Sequence, residues 1–166
     1  MAHLRRRTVL GVGSAALLAG CGFQLRRAPE FGFRRILLAG FEPRSPLAEE
    51  LRAQIDASPA TRVVDTLPQA EVVLHALSDV RDRSVVGSTG AGQVRELQLR
   101  LRFAFRLARA DGRDLIPPRE IVLSRDMSYS ETIALAKELE EAALFRAMQS
   151  DIVAQVLRRL ASVPPL

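Results

Sequence analysis

The spacing of hydrophobic residues changes period several times along this chain, and each change predicts an element. Arg35-Ile36-Leu37-Leu38-Ala39 is a short apolar run ended by Gly40, the pattern of a buried strand. Ser45-Pro46 then combines a helix cap with proline at the first helical position, and Leu47, Leu51 and Ile55 follow at four-residue spacing. The helix is expected to stop near Ser58-Pro59, with a second short strand over residues 61–65. Strand, helix and strand within about 30 residues make a βαβ unit, expected to have parallel strands and a right-handed crossover.

The middle of the chain is strand-like. Residues 71–86 lead to a glycine-rich tip at 87–92, where the chain turns. Leu97, Leu99, Leu101, Phe103, Phe105 and Leu107 then alternate with Gln98, Arg100, Arg102, Ala104, Arg106 and Ala108. A helix would scatter those six apolar residues around its axis, whereas a strand sets them on one face. Asp111-Gly112 signals a hairpin, and the return strand runs through Ile121, Leu123, Arg125, Met127 and Tyr129. Pro117-Pro118 near its start calls for a bulge or an edge position.

From Ser130 to about Ser162 the period becomes helical. Ser128 with Glu131 fits a capping box, and Leu135, Leu139, Ala142, Met148, Ile152, Val156 and Leu160 form an apolar stripe. A helix of that length would reach roughly 45 Å, so a bend or break is expected. The predicted fold class is α/β (α+β), a two-layer sandwich. A βαβ unit is followed by an antiparallel β-meander and a long C-terminal helix, with two helices on one face of a four- to five-stranded mixed sheet.

The N-terminus changes what this domain is for. Arg5, Arg6 and Arg7 precede an apolar run at 9–18 and then Leu18-Ala19-Gly20-Cys21, the layout of a signal peptide too short to span a bilayer. Arg6-Arg7 reads equally as a twin-arginine export signal or as an ordinary positive segment. A cysteine after Leu-Ala-Gly resembles a bacterial lipobox, which implies cleavage before Cys21, a diacylglycerol on its thiol and acylation of the new amino group. The expected organisation is a signal peptide at 1–20, a lipid-anchored tether at 21–34 and one α/β domain at 35–166. Cys21 is the only cysteine, so no thiol remains for a disulfide, metal or nucleophile once it carries lipid. Without residues 1–20 the chain has 21 basic and 19 acidic residues, too small an excess for bulk nucleic-acid binding.

Catalytic sets are missing from the pattern. His75 sits mid-strand without a second histidine or cysteine near it, so no metal is expected. No G-x-S-x-G elbow supports Ser-His-Asp chemistry, and the 87–92 cluster lacks the Gly-Lys-Ser/Thr ending of a phosphate loop. The chemistry that does stand out is basic. Arg100, Arg102 and Arg106 share the polar face of the alternating strand, and Arg125 joins them if its side chain points the same way. That face reads as a solvated surface, as an anion site built from guanidinium groups, or as a polar surface inside the water-filled lumen of a large barrel.

Several motifs carry a family resemblance. Cys21-Gly22-Phe23-Gln24-Leu25-Arg26 resembles the start of the mature lipopolysaccharide-assembly lipoproteins of the LptE family. More specific are Arg125-Asp126-Met127-Ser128-Tyr129-Ser130-Glu131 and Ala134-Leu135-Ala136-Lys137-Glu138, followed by Glu140-Glu141, Leu144, Met148-Gln149, Asp151 and Leu157-Arg158-Arg159-Leu160. The distinctive residues are nearest the β-proteobacterial form of the family. The resemblance implies a lipoprotein at the periplasmic face of the outer membrane, plugging an LptD-type β-barrel, helping it assemble and binding lipopolysaccharide for delivery to the outer leaflet. It implies no enzyme activity and no cofactor beyond the covalent lipid at Cys21. Gly22 after the cysteine agrees with outer-membrane sorting. From the residues alone Lys137 reads first as a surface lysine beside Glu138 or Glu141, but in Ala-Leu-Ala-Lys it resembles the family position implicated in lipopolysaccharide binding, which brings the two readings level. Arg125, Arg83 and Arg95 are candidates for a second basic partner, with Arg100, Arg102 and Arg106 as further lipopolysaccharide-binding candidates. Two other functions fit less of the pattern: an auxiliary lipoprotein of a periplasmic phospholipid-transport system, and a lipid-anchored hydrolase using Ser124 or Ser128 near His75.

Overall fold

A computed structural model describes residues 30–166. Cys21, the signal peptide and most of the tether lie outside the described residues. The elements run β1 (Arg35–Ala39), α1 (Pro46–Asp56), β2 (Arg62–Val64), β3 (Val72–Ser88), β4 (Val94–Arg109), β5 (Asp114–Ser128) and α2 (Ala134–Ala161). The five strands form one sheet in the order β2-β1-β3-β4-β5. β1 pairs in parallel with both β2 and β3, and the β3-β4-β5 meander is antiparallel. The expected α+β two-layer sandwich is therefore the observed one.

Local signals act as read. The Ser45 hydroxyl accepts the Ala48 N–H at 3.3 Å, with Pro46 supplying no N–H where none has a helical partner. Gly112 takes a φ of 91° in the β4–β5 hairpin, which glycine adopts without a Cβ clash. Pro117-Pro118 meets both of its expectations. β5 is an edge strand, and its register against β4 slips between Phe105↔Arg119 and Leu107↔Ile116, where the prolines sit.

The alternating row of β4 is the centre of the molecule. Leu99, Leu101, Phe103, Phe105 and Leu107 are fully buried under the helices with Leu47, Leu51 and Ile55 of α1 and Met148, Ile152, Val156 and Leu160 of α2. Burying each such side chain stabilises the fold by about 1.5–3 kcal/mol. Phe33, in the stretch assigned to the tether, also belongs to this core, and Phe31 stacks on it at 5.5 Å. The packed domain thus starts a few residues ahead of β1.

Two expectations for the C-terminal helix need correction. Ser128 and Glu131 form no capping box. Ser128 still pairs with Glu96 at the end of β5, a 3-10 turn over Glu131–Ile133 follows, and α2 begins at Ala134 with no side-chain cap. The only break is that turn, since α2 runs unbroken for 28 residues. The apolar stripe is also covered only in part. Met148, Ile152, Val156 and Leu160 are buried, but Leu135 and Leu139 are 72% and 67% exposed. The cause is the reach of α1. Gln149 donates to the carbonyl of Pro46 and to Glu50, so α1 begins level with Gln149. From there onward two surfaces cover α2. Before it only the sheet does, and Leu135, five turns ahead of buried Val153, lies on the bare side.

Candidate functional site

Opposite residues in an antiparallel pair share a face, so the β4 register assigns every basic candidate to a side. Arg100, Arg102 and Arg106 lie on the face away from the helices, across from Asp82, Val80 and His75 of β3. Neighbours occupy their guanidinium groups. Arg102 meets Asp82 at 2.7 Å, Arg106 meets Asp114 at 2.9 Å, and Arg100 donates to Gln98 at 3.0 Å while Gln98 donates to Asp126. Exposed pairs of this kind contribute only about 0.2–1 kcal/mol each. Their effect is to turn a row of positive charge into a nearly neutral polar surface.

Arg125 does not join them. It pairs with Leu99, on the helix side of the sheet, and reaches Asp151 of α2 at 3.5 Å. The condition for Arg125 to join Arg100, Arg102 and Arg106 is not met, because period two sends odd-numbered residues of β5 toward the helices.

Lys137 stands where β5 ends and α2 starts. Its ammonium donates to the Ser128 hydroxyl at 2.9 Å and pairs with Glu140 at 2.8 Å, and its side chain is only 12% exposed. The neighbouring carboxylate is therefore Glu140, rather than Glu138 or Glu141. Glu141 instead pairs with Arg83 at 3.3 Å, and Arg95 donates to Gln93.

A group that the sequence pattern singled out only in part flanks α2 on its β3 side. Arg81 donates to Gln149 at 2.7 Å and lies over the Phe145 ring, with its guanidinium carbon 6.0 Å from the ring centre. Arg81, Arg83, Arg146, Glu138, Glu141 and Phe145 line an open cleft of about 470 Å³. The β3 bulge between Ala76 and Ser78 explains why this was hidden, because it sets Asp79, Arg81 and Arg83 opposite Phe103, Leu101 and Leu99 on the apolar face. Desolvation there raises the Asp79 carboxyl above its ordinary range, against the pull of Arg81.

The hydrolase reading is overturned by distance. His75 lies opposite Arg106, and Ser124 and Ser128 lie opposite Arg100 and Glu96. Offsets of six and ten residues along β4 separate them from His75 by about 20 and 34 Å. Burial, with Arg106 second, also lowers the His75 pKa. Among the described residues no group of His, Cys, Asp or Glu could hold a metal, and no helix is long and apolar enough to cross a membrane.

Comparisons with known proteins agree on one family. The model of the lipopolysaccharide-assembly family LptE matches residues 33–160. LPS-assembly lipoproteins LptE of Yersinia pestis and Yersinia pseudotuberculosis are each 29% identical over 161 residues, spanning 95% of this chain and 77% of theirs. Among solved structures, a lipoprotein B of Nitrosomonas europaea is 30% identical, with a TM-score of 0.72 over 85% of this chain and 91% of that one. The rare lipoprotein B of Shewanella oneidensis, 23% identical with a TM-score of 0.66, covers 78% of this chain and 95% of its own and shares the fold.

Proposed function

The chain belongs to the LptE family of lipopolysaccharide-assembly proteins, and on that premise we propose that it is an outer-membrane lipoprotein that plugs an LptD-type β-barrel. Cys21 carries the lipid at the periplasmic face of the outer membrane. The domain behind it occupies the barrel lumen, assists the barrel's assembly and binds lipopolysaccharide for delivery to the outer leaflet. It works as a scaffold and binding protein, without covalent chemistry or a cofactor.

One observation carries this reading beyond family membership. The meander's face away from the helices is polar and open, and two of its three arginines, Arg102 and Arg106, are neutralised within the sheet by Asp82 and Asp114, while Arg100 donates to Gln98. A barrel lumen is polar and water-filled. A polar surface with two of its arginines already paired suits such a lumen. The bare apolar residues Ile133, Leu135 and Leu139 of the α2 start and Val85 and Val86 of β3 add contact area near the tip.

Lipopolysaccharide binding is assigned to the start of α2. Lys137 is a compact cation of the kind that meets phosphate, held in place by Ser128, and Arg81, Arg83 and Arg146 stand on the β3 side of the same helix. The test of the whole reading is a pull-down of the lipidated chain from detergent-solubilised outer membranes. A barrel of the LptD type in equimolar yield is the expected partner. Recovery of an inner-membrane transporter or its substrate-binding subunits instead would move the chain to phospholipid transport.

A further inference from the structure

Gln149 of α2 is a buried polar side chain, 7% exposed, whose partners settle which way its amide points. The amide nitrogen donates to the Glu50 carboxylate at 2.7 Å and to the Pro46 carbonyl at 3.3 Å. Both partners are acceptors, so the amide oxygen is left to face β3, where it accepts from Arg81 at 2.7 Å. The Phe145 ring lies against the same guanidinium. Arg81 is thus held on two sides by groups that carry no charge, and Asp79, on the same face of β3, makes no ion pair with it. That separates it from Arg102, Arg106 and Arg125, each of which meets an aspartate. A neutral acceptor aims a guanidinium without cancelling its charge, and the remaining N–H groups of the fork stay available.

The open cleft beside α2 gathers Arg81 with two more arginines and two glutamates, which leaves it net positive. Arg83 is occupied by Glu141 at 3.3 Å. Arg146 has no side-chain hydrogen bond or ion pair among the described residues, and exposed Glu138 has none either. We propose that this cleft binds a phosphate group of the lipopolysaccharide, with Arg81 and Arg146 as its contacts and Gln149 as the residue that positions Arg81. The identity of the ligand rests on the lipopolysaccharide reading; the aim of Arg81 rests on the Glu50–Gln149 contacts. A phosphomonoester carries about −1.5 to −2 charges at neutral pH, close to the sum of the two unpaired guanidinium groups. Its oxygens also suit the paired N–H groups of a guanidinium fork. Lys137 does not reach the same phosphate. It stands twelve residues before Gln149 on α2, roughly 18 Å along the axis, so cleft and ammonium hold different groups of one molecule.

The test titrates the full-length lipidated chain in detergent with purified lipopolysaccharide. Arg81 and Arg146 are exposed, so Arg81→Gln and Arg146→Gln should fold as the wild type does. Each should weaken binding about tenfold, the effect of one lost charge-assisted contact. Arg81→Gln combined with Lys137→Ala should multiply the two separate losses, because distant sites add in free energy. Gln149→Met removes the acceptor at similar volume. It should weaken binding several-fold by itself and have no further effect once Arg81 is glutamine, a pattern that general loosening of the fold would not give. A further loss there overturns the positioning role. Phosphorus NMR of the complex reads the bound group directly. One phosphate resonance should return to its unbound position in Arg81→Gln, and a different one in Lys137→Ala. Unchanged affinity in both arginine variants, with Lys137→Ala still weakening, overturns the cleft site and leaves the lipopolysaccharide reading standing. A loss of affinity without an Arg81-dependent phosphate resonance gives the cleft to a sugar carboxylate and overturns the phosphate. An equal loss on phosphatidylglycerol vesicles gives it to anionic lipids in general and overturns the proposal. Failure of the wild-type chain to bind lipopolysaccharide overturns both readings.

Discussion

Lys137 illustrates how one neighbour decides what a residue can do. Its ammonium is already paired with Glu140, so a bound phosphate must displace that carboxylate. Glu140→Gln is therefore expected to tighten lipopolysaccharide binding several-fold, and Lys137→Ala to weaken it, when both are titrated with purified lipopolysaccharide. Unchanged affinity in both variants would remove Lys137 from the site. Glu71 sets a different kind of expectation. The Arg34 main-chain N–H, at 2.8 Å, is the main reason its carboxyl lies below the ordinary 4.5, with the Arg35 guanidinium helping. A lowered carboxyl pKa stabilises the fold above the unfolded value and loses that contribution as pH falls through the folded one. Glu71→Gln should thus flatten the acid limb of a stability–pH curve below about pH 4.5 and leave its neutral part unbent. Gly40 has a φ of 78°, and an added Cβ would meet the Ala76 carbonyl oxygen at 2.4 Å, whereas Gly112 at 91° faces open space. In denaturant titrations Gly40→Ala should cost more than about 1 kcal/mol, and more than Gly112→Ala does.

Elements were legible where the signal is local. The Ser45-Pro46 cap, the Asp111-Gly112 turn and the proline bulge each depend on a few adjacent residues, and each sits where the pattern placed it. Ser45→Ala should lower stability by about 1 kcal/mol through loss of the α1 cap. The start of α2 was misread because the serine that would have capped it remained in a strand. The exposed leucines of α2 offer a separation of fold from function. Leu135→Gln with Leu139→Gln should leave the thermal midpoint of the free chain almost unchanged, within about 0.5 kcal/mol, yet reduce recovery of the barrel complex. A large stability loss would mean that those leucines are covered in the free chain.

For the whole molecule, the described residues combine a helix-covered core with an open polar face on which two of three arginines are paired with aspartates. An anchor at Cys21 would hold that body at a membrane through lipid alone. Covalent chains contribute about 0.8 kcal/mol per buried methylene, and more than one is needed for durable attachment. Cys21→Ala should therefore release the chain from the outer-membrane fraction, as read by fractionation. The alternating β4 row and the family motifs made the architecture readable in advance. Most of the candidate site was not, because a bulge in β3 moved Arg81 and Arg83 to the helix face while simple alternation in β5 carried Arg125 away from the other arginines.

By itself the sequence determined the period of each segment and the turns between segments, since these are written within a few residues of one another. Only the tertiary structure decided which charges are paired and, among the described residues, which leucines are bare and which strand stands at the edge of the sheet. Those properties depend on contacts between distant residues. Arg81 and Gln149 are 68 positions apart and Gln149 and Pro46 are 103. A register slip of one residue, as in the β3 bulge, reassigns every side chain beyond it to the other face.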